Sequence, residues 1–446
     1  MTTVLTGPGG PGLRLFTTLP NSKVPPHLAY ASTRSPTTQG FSLRTARQRS
    51  GWKRSDIRAA TSSNVFTDAP RVSQEELERI KAFRLPVSDF VPPYPYQRNK
   101  VTEKAAAEAY RWTEEYSLPE ICPSPEEIHP IYKLDLNEYA MALYVDCGVK
   151  EAAWVIKYVI WATIFDDRLD DIAYACSPEK SAEICLELHV TLMWSFPDDK
   201  HLYKNFVELL DLGEVSERSQ TLNYLQSRLD EARLKPGTVY DTSATSFHAL
   251  NKAFRDLWAE LCETMPPDFL RRWALLFQKQ NLSNLKEITN RKYKTIPPVD
   301  DYIAFRRDNI GARAAAVLIE FTDRIHLPDE VFDCSEMQRL LTAVADFYSF
   351  HNDLSSFEKE AMLGDVNNLV VVVSHAEDCS YTEAGAKVYQ MMLDTITGME
   401  KAISDLERVT PPEYQHAISR YFNFARNVVT GAHHWHRRSV RYAKHT

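Results

Sequence analysis

The chain has 446 residues, of which 44% are hydrophobic and 25% are charged. This is enough apolar material for one large domain or two modest ones. Acidic residues outnumber basic ones by 60 to 52 and the net charge is −8, which excludes the basic surface typical of a nucleic-acid-binding protein. No apolar run approaches the roughly 20 residues that cross a bilayer, so we expect no membrane span.

The first 70 residues differ in composition from the rest of the chain. Gly, Pro, Ser and Thr dominate, and no acidic residue precedes Asp56, although several arginines and lysines do. Such a segment buries little apolar surface, so residues 1–70 are predicted to be a disordered extension. An acid-poor, arginine-containing start is also typical of organellar transit peptides, which leaves targeting by residues 1–60 as an alternative.

The seven cysteines are scattered, and no two of them form a CxxC pair. Their odd number and irregular spacing argue against a disulfide scaffold and for reduced thiols inside the cell. We therefore expect a cytoplasmic protein. The sequence leaves a monomer and a homodimer equally open.

From about residue 85 onward, helix-forming segments alternate with proline-containing breaks, and strand-like alternation is rare. The longest segments, rich in Ala, Leu, Glu, Lys and Arg, are 149–174, 301–324, 336–363 and 412–442. Long helices with broad apolar faces predict an all-α fold, a helical bundle formed by a single domain over residues 71–446.

A run of carboxylates ends the most apolar of these segments, at Asp166, Asp167, Asp170 and Asp171. On a helix Asp166 and Asp170 share one face, whereas Asp167 points about 100° away. Like charges this close raise each other's pKa unless a cation neutralises them. A DDxxD motif alone is also compatible with a solvated acidic helix end, so the interpretation needs a partner motif.

The partner motif lies in segment 336–363. Asn352, Ser356 and Glu360 recur every four residues, which places an amide oxygen, a hydroxyl and a carboxylate along one helix face. Such a stripe can be ordinary solvent-facing surface. However, hard oxygen ligands with few carboxylates also suit Mg²⁺, which completes its octahedron with water and substrate phosphate.

With these two motifs the chain resembles the class I terpene synthases, particularly the microbial and fungal sesquiterpene cyclases. That family carries a DDxxD motif followed by an (N/D)DxxSxxxE triad, in the order seen here. Further matches to its patterns are Glu287, Arg291, Tyr302, Arg306, Gly311, Trp435, Ser439, Arg441 and Tyr442. Arg306 stands at the family's fixed distance before the triad, where it has a diphosphate-sensing arginine. Ala432 and His433 depart from the resemblance, because the family usually has Asn-Leu there.

The resemblance implies an active site with three Mg²⁺ ions and an isoprenyl diphosphate substrate. The metal ligands it implies are Asp166, Asp170, Asn352, Ser356 and Glu360. The substrate-binding residues it implies are Arg306, Asn352, Lys359, Arg441 and Tyr442, and the catalytic residues are Asp166, Arg306, Arg441 and Tyr442. Four aromatic residues adjoin the motifs and are candidates to stabilise a carbocation, although aromatic residues on apolar faces are more often plain core: Trp161, Phe165, Phe347 and Tyr348.

The implied reaction is ionisation of farnesyl diphosphate and closure of the carbocation to a cyclic sesquiterpene or sesquiterpene alcohol, with release of pyrophosphate. Related fungal cyclases make polycyclic alcohols of the longiborneol, koraiol or presilphiperfolanol type. One alternative is a trans-prenyl diphosphate synthase, which would need a second aspartate-rich motif where this chain has Asn352, Ser356 and Glu360. The other is a non-catalytic helical binding protein, which would have no need for two metal motifs.

Overall fold

The computed structural model describes residues 72–84, 86–116, 134–170, 176–213 and 248–442, together with single positions at 118, 223, 227 and 230. The predicted extension over residues 1–70 lies outside the described residues. The described part is helical and contains no strand, so the prediction of an all-α fold is confirmed. None of the helices in these ranges is long and apolar enough to cross a membrane.

The α-helices of the described residues follow in chain order. They are α1 (Gln74–Ala82), α2 (Thr102–Glu115), α3 (Leu136–Leu143), α4 (Val149–Leu169), α5 (Pro178–Ser195), α6 (Lys200–Leu212), α7 (His248–Thr264), α8 (Pro267–Tyr293), α9 (Val299–Asn309), α10 (Ala312–Val317), α11 (Ile319–Asp323), α12 (Asp329–Phe332), α13 (Ser335–Met362), α14 (Leu369–Glu377), α15 (Tyr381–Val409) and α16 (Gln415–Arg438). Short 3₁₀ turns occur at Pro86–Asp89, Pro412–Tyr414 and Val440–Tyr442.

Helix α4 is buried on most of its circumference. It begins after Gly148, ends at Asp170 and packs against α2, α3 and α7. A helix that is apolar all round belongs in the core of a domain, so the carboxylates at its end lie where a buried helix meets solvent. The predicted start at residue 149 is confirmed, and residues 171–175 of that prediction lie outside the described residues.

Helix α13 carries the second predicted motif and packs against α9, α15 and α16. The Sγ of its N-cap residue, Cys334, accepts a hydrogen bond from the Met337 amide at 3.4 Å. The helix matches the predicted segment 336–363 to within one residue at each end. The predicted segment 412–442 forms α16, with a 3₁₀ turn on either side.

The prediction of one helix over residues 301–324 is wrong, because the segment is divided into α9, α10 and α11. The main break is at Gly311, which has φ +70°, a conformation that a side chain disfavours. A Cβ at this position would also lie 2.8 Å from the side chain of Gln280. The break allows α9 to pack against α8, α13 and α14 at once, which brings Arg306 to the face of α13.

Residues 72–84 and 86–99, here called the N-terminal strap, cross the outside of α13, α15 and α16. The Phe83 ring lies 4.4 Å from that of Phe357, and the Phe90 ring lies 6.1 Å from that of Phe347. The hydroxyl of Tyr94 donates to Glu400 at 2.7 Å. The strap is therefore part of the packed core behind the Asn352 face of the bundle.

Candidate active site

The carboxylates at the end of α4 face two arginines from distant parts of the chain. Arg441 donates to Asp167 at 2.6 Å and more weakly to Asp166 at 3.4 Å. Asp170 forms an ion pair with Arg291, with 3.2 Å between Oδ1 and Nη2. Asp171 lies outside the described residues. Asp166 and Asp170 are therefore each paired with a cationic side chain.

The environment of Asp166 disfavours its negative charge. Partial desolvation and repulsion by Asp170 raise the pKa of Asp166 to about 6, although Arg441 acts in the opposite direction and the side chain is still 57% exposed. A carboxylate with a raised pKa gains most from a nearby cation, because neutralising its charge relieves the unfavourable environment. This end of α4 therefore favours the binding of positive charge.

The Asn352, Ser356 and Glu360 side chains line one face of α13, as predicted. The oxygen Oδ1 of Asn352 accepts a hydrogen bond from Arg306 at 2.9 Å. The hydroxyl of Ser356 donates to the Asn352 carbonyl at 2.9 Å, and Glu360 accepts from Asn368 at 2.9 Å. Burial and the charge of Asp353 raise the pKa of Glu360 to about 7. Like Asp166, this carboxylate gains from a cation.

Arg306 is fixed from behind by a buried carboxylate that the sequence analysis did not select. Asp353 accepts two hydrogen bonds from Arg306, at 2.8 and 3.1 Å, one from the Tyr302 hydroxyl at 2.7 Å, and one from the Leu369 amide at 2.9 Å. Arg306 also donates to Asn309. The guanidinium is thus held with one edge against Asn352.

The C-terminal turn joins the two motifs. The Nδ2 of Asn352 donates to the Tyr442 hydroxyl at 3.0 Å, while the adjacent Arg441 reaches the carboxylates of α4. Four of the predicted site residues are therefore connected in one chain of contacts: Arg306, Asn352, Tyr442 and, through the backbone, Arg441. Lys359 is exposed on α13, and in the described part of the chain no hydrogen bond joins it to these residues.

Comparison with known proteins identifies the family. Residues 208–397 match the family model described as terpene synthase family 2, C-terminal metal binding. The chain is 29% identical to alpha-gurjunene synthase from Marchantia polymorpha over 414 residues, covering 88% of this chain and 93% of that protein. It is 35% identical to sesquiterpene synthase 3 from Postia placenta over 211 residues, covering 45% and 56%. The chain belongs to the class I terpene synthases. Germacradien-4-ol synthase from Streptomyces citricolor has a similar fold, with a TM-score of 0.58 and 22% identity over 78% of this chain and 97% of that one.

The donor atoms of this terpene synthase fit a hard divalent cation. Every predicted ligand offers oxygen, and the ligands lie in two sets, one on α4 and one on α13. No three His, Cys, Asp or Glu side chains of the described residues converge to form a complete metal site by themselves. Split oxygen ligands with few carboxylates are typical of Mg²⁺, which takes its remaining oxygens from water and a phosphorylated ligand.

Sequence reasoning assigned no role in the site to several residues that position it. Asp167 binds Arg441, and Glu287 and Asp365 bind Arg291, which in turn holds Asp170. Burial raises the pKa of Glu287 to about 8, while Arg291 opposes the shift. Asp353 directly follows Asn352, and this position could have suggested that its carboxylate binds Arg306. The contact between Asp167 and Arg441 joins residues 274 positions apart, so no local sequence pattern could have predicted it.

The four candidate aromatic residues divide between core and site. Trp161 donates to the Leu250 carbonyl at 2.9 Å and stacks on Phe165, and Phe347 packs towards the N-terminal strap. Tyr348 stacks on Tyr139 and His436, and the charges of Arg441, Arg306 and Asp166 act on its hydroxyl. Burial raises the pKa of Tyr348 to about 12, so its ring is neutral.

Proposed function

We propose that this terpene synthase is a magnesium-dependent sesquiterpene cyclase. It ionises farnesyl diphosphate, closes the carbocation to a cyclic sesquiterpene or sesquiterpene alcohol, and releases pyrophosphate. The observation that carries the proposal is the chain of contacts from Arg306 through Asn352 to Tyr442 and Arg441. It brings cationic donors and oxygen ligands from three separate helical elements to one place.

The two ligand sets hold the metal, Asp166 and Asp170 on one side and Asn352, Ser356 and Glu360 on the other. Magnesium, when bound, supplies Lewis-acid stabilisation of the charge that develops on the departing diphosphate. The protein's task is to present these oxygens in a site where Asp166 and Glu360 have raised pKa values and so favour a cation.

The arginines bind and orient the diphosphate. Arg306 and Arg441 present planar guanidinium groups, which suit phosphate oxygens and form charge-assisted hydrogen bonds. Each is held by a carboxylate, Asp353 or Asp167, so its direction is set before the substrate arrives. Tyr442 adds a hydroxyl beside Asn352. Preorganised donors of this kind act on the leaving group without needing to reorient during the reaction.

The allylic cation has to be kept from water and guided to closure. Tyr348, with its neutral ring next to the charged residues, is our candidate for the aromatic face nearest the ionised carbon. Lys359 remains a proposed diphosphate ligand, since it lies seven residues after Asn352 and so on the same face of α13. Exclusion of bulk water favours ring closure over capture of the cation.

The proposal of a fifteen-carbon substrate rests on similarity to known proteins. The similar protein from Postia placenta is named sesquiterpene synthase 3. We propose farnesyl diphosphate for this chain on that basis, with a product of the longiborneol, koraiol or presilphiperfolanol type. Three Mg²⁺ ions per site are proposed from the same resemblance.

The test is incubation of the purified chain with Mg²⁺ and geranyl, farnesyl or geranylgeranyl diphosphate, followed by mass spectrometry of the extract and assay of pyrophosphate. We expect a cyclic fifteen-carbon product that disappears with a chelator and in Asn352→Ala. Asp346→Asn, on α13 away from the ligand stripe, is the matched control and should retain activity. A longer prenyl diphosphate formed when isopentenyl diphosphate is added would instead support the chain-elongation alternative.

We also propose a cytoplasmic location and either a monomer or a homodimer in solution. Every cysteine in the described part of the chain is a free thiol, which suits a reducing compartment. A fluorescent fusion to the C-terminus of the full chain tests the location, with organellar fluorescence as the contradicting result. Light scattering after gel filtration distinguishes the two oligomeric states.

A further inference from the structure

Three histidine rings form a buried hydrogen-bonded chain behind the proposed active site. The Nδ1 of His351 on α13 lies 2.7 Å from the Nδ1 of His436 on α16. The Nε2 of His351 lies 3.0 Å from the Nδ1 of His433, also on α16. All three rings are buried. The ring of Phe90, from the N-terminal strap, meets His433 edge-on at 5.1 Å.

Each ring-to-ring hydrogen bond needs one N–H and one lone pair, so two adjacent rings cannot both be charged. All three rings are buried, which disfavours a charged imidazole at each of them, so the rings are neutral and their protons are ordered. Burial lowers the pKa of His433 to about 4, in agreement. The rings also do not form a metal site, since no three metal-binding side chains of the described residues converge.

One of the two possible proton orders is favoured. The Nε2 of His436 is buried and has no partner in the described part of the chain. Proteins avoid such a state more strictly for an N–H than for a lone pair. His436 therefore carries its proton on Nδ1 and donates to His351, and His351 carries its proton on Nε2 and donates to His433.

The chain of histidines closes a loop with two residues of the proposed site. His351 precedes Asn352 in the sequence, Asn352 donates to the Tyr442 hydroxyl at 3.0 Å, and the Tyr442 ring contacts the His436 ring at 4.5 Å. His436 then returns to His351 through the 2.7 Å contact. Arg441 is next to Tyr442, so its position relative to α13 depends on this loop.

We propose that His351, His433 and His436 are positioning residues that fix the C-terminal turn, with Arg441 and Tyr442, against the Asn352 face of α13. The proposal rests on the proposed function in that it assigns diphosphate binding to this turn. It also accounts for His433, one of the two positions at which the sequence departs from the family pattern. At this position, a leucine would fill space but could not accept the hydrogen bond from His351.

The first test is spectroscopic and uses the full chain without metal or substrate. Nuclear magnetic resonance of ¹⁵N-histidine-labelled protein should show two strongly downfield N–H protons, one on Nδ1 of His436 and one on Nε2 of His351. His436→Leu should remove the first signal and His433→Leu should shift the second. His434→Leu, which alters a neighbouring ring that stacks on Tyr96 outside the cluster, should change neither. Absence of both signals from the wild-type protein would overturn the hydrogen-bonded chain.

The second test measures binding of inorganic pyrophosphate with Mg²⁺ by calorimetry, below the melting temperature of each variant. We expect His436→Leu to weaken binding about tenfold, the factor that corresponds to about 1.4 kcal/mol. His436→Asn should restore most of the affinity, because the Asn side-chain amide replaces Nδ1 of the imidazole. His436→Leu should likewise raise the KM for the diphosphate substrate, and the KM of His436→Asn should be close to that of the wild-type protein.

The outcomes separate this proposal from the proposed function. Wild-type pyrophosphate affinity in His436→Leu, or equal loss in the Leu and Asn variants, overturns the positioning role while leaving the cyclase assignment intact. Conversely, a wild-type chain that turns over no isoprenyl diphosphate overturns the proposed function. In that case the two downfield signals and their loss in the variants still decide whether the histidine chain exists.

Discussion

Replacing Asp353 with asparagine should destabilise the fold far more than the same change at Asp346. Both aspartates lie on α13 and pair with neighbouring arginines of α9, Asp353 with Arg306 and Asp346 with Arg307. Asp353 is fully buried and serves three donor groups, whereas the Asp346–Arg307 pair is partly exposed. The two substitutions remove the same charge and conserve the same volume, so Asp346→Asn is a matched control.

The magnitude follows from the contacts that each carboxylate makes. The amide of Asp353→Asn directs an N–H group at one of three donors, namely Arg306, the Tyr302 hydroxyl or the Leu369 amide. Breaking a buried ion pair costs about 3–5 kcal/mol, and we expect the lower end because one oxygen remains. The partly exposed pair at Asp346 should cost about 1 kcal/mol or less.

Urea unfolding of the metal-free protein measures both free energies. The expected difference between the two variants is at least about 2 kcal/mol, with Asp353→Asn also losing affinity for pyrophosphate because Arg306 is no longer directed at Asn352. A difference of less than about 0.5 kcal/mol between the free energies of unfolding of the two variants is too small to distinguish them. Such a result would mean that Asp353 does not anchor Arg306 as described.

Three further predictions concern the site and the chain start. The pKa of Asp166 is raised to about 6, so its charge destabilises the metal-free fold above that pH and no longer does so below the unfolded value near 4. Asp166→Asn should therefore raise the melting temperature at neutral pH, and this gain should shrink as the pH is lowered. The same variant should have no turnover. A lower melting temperature than that of the wild-type protein at neutral pH would contradict the prediction. Arg441→Ala should weaken pyrophosphate binding in calorimetry by about 1.5–3 kcal/mol, whereas Arg307→Ala should not, and equal losses would mean that the wrong arginine was selected. Deleting residues 2–70 should leave turnover and melting temperature nearly unchanged. In contrast, Phe83→Ala should lower the free energy of unfolding by about 3–5 kcal/mol, because the ring is buried against Phe357. Loss of activity in the deletion variant would mean that the domain begins before the predicted residue 71.

Features that depend on local periodicity were predictable from the sequence. The common face of Asn352, Ser356 and Glu360 follows from spacing alone, since residues four apart on a helix are neighbours. The limits of α13 follow from the helix-favouring composition of the segment. The start of α4 after Gly148 could also be predicted, because the apolar run begins there.

Features that depend on long-range contacts were not predictable in this way. The break at Gly311 was indicated by the resemblance to the family and not by the helix-favouring composition around it; in the structure it coincides with a positive φ and the approach of Gln280. The role of Asp353 depends on Tyr302 and the Leu369 amide, which reach it from other elements. The loop through His351 and His436 joins residues 85 positions apart, and no pattern within either helix indicates it.

The most direct test of the central claim is a single incubation of the full chain with farnesyl diphosphate and Mg²⁺, in which pyrophosphate and extracted terpenes are measured together. We expect one pyrophosphate released for each cyclic fifteen-carbon product formed, and neither in Asn352→Ala or with a chelator. Unchanged farnesyl diphosphate, or turnover that persists in both Asn352→Ala and the chelated enzyme, would contradict the assignment.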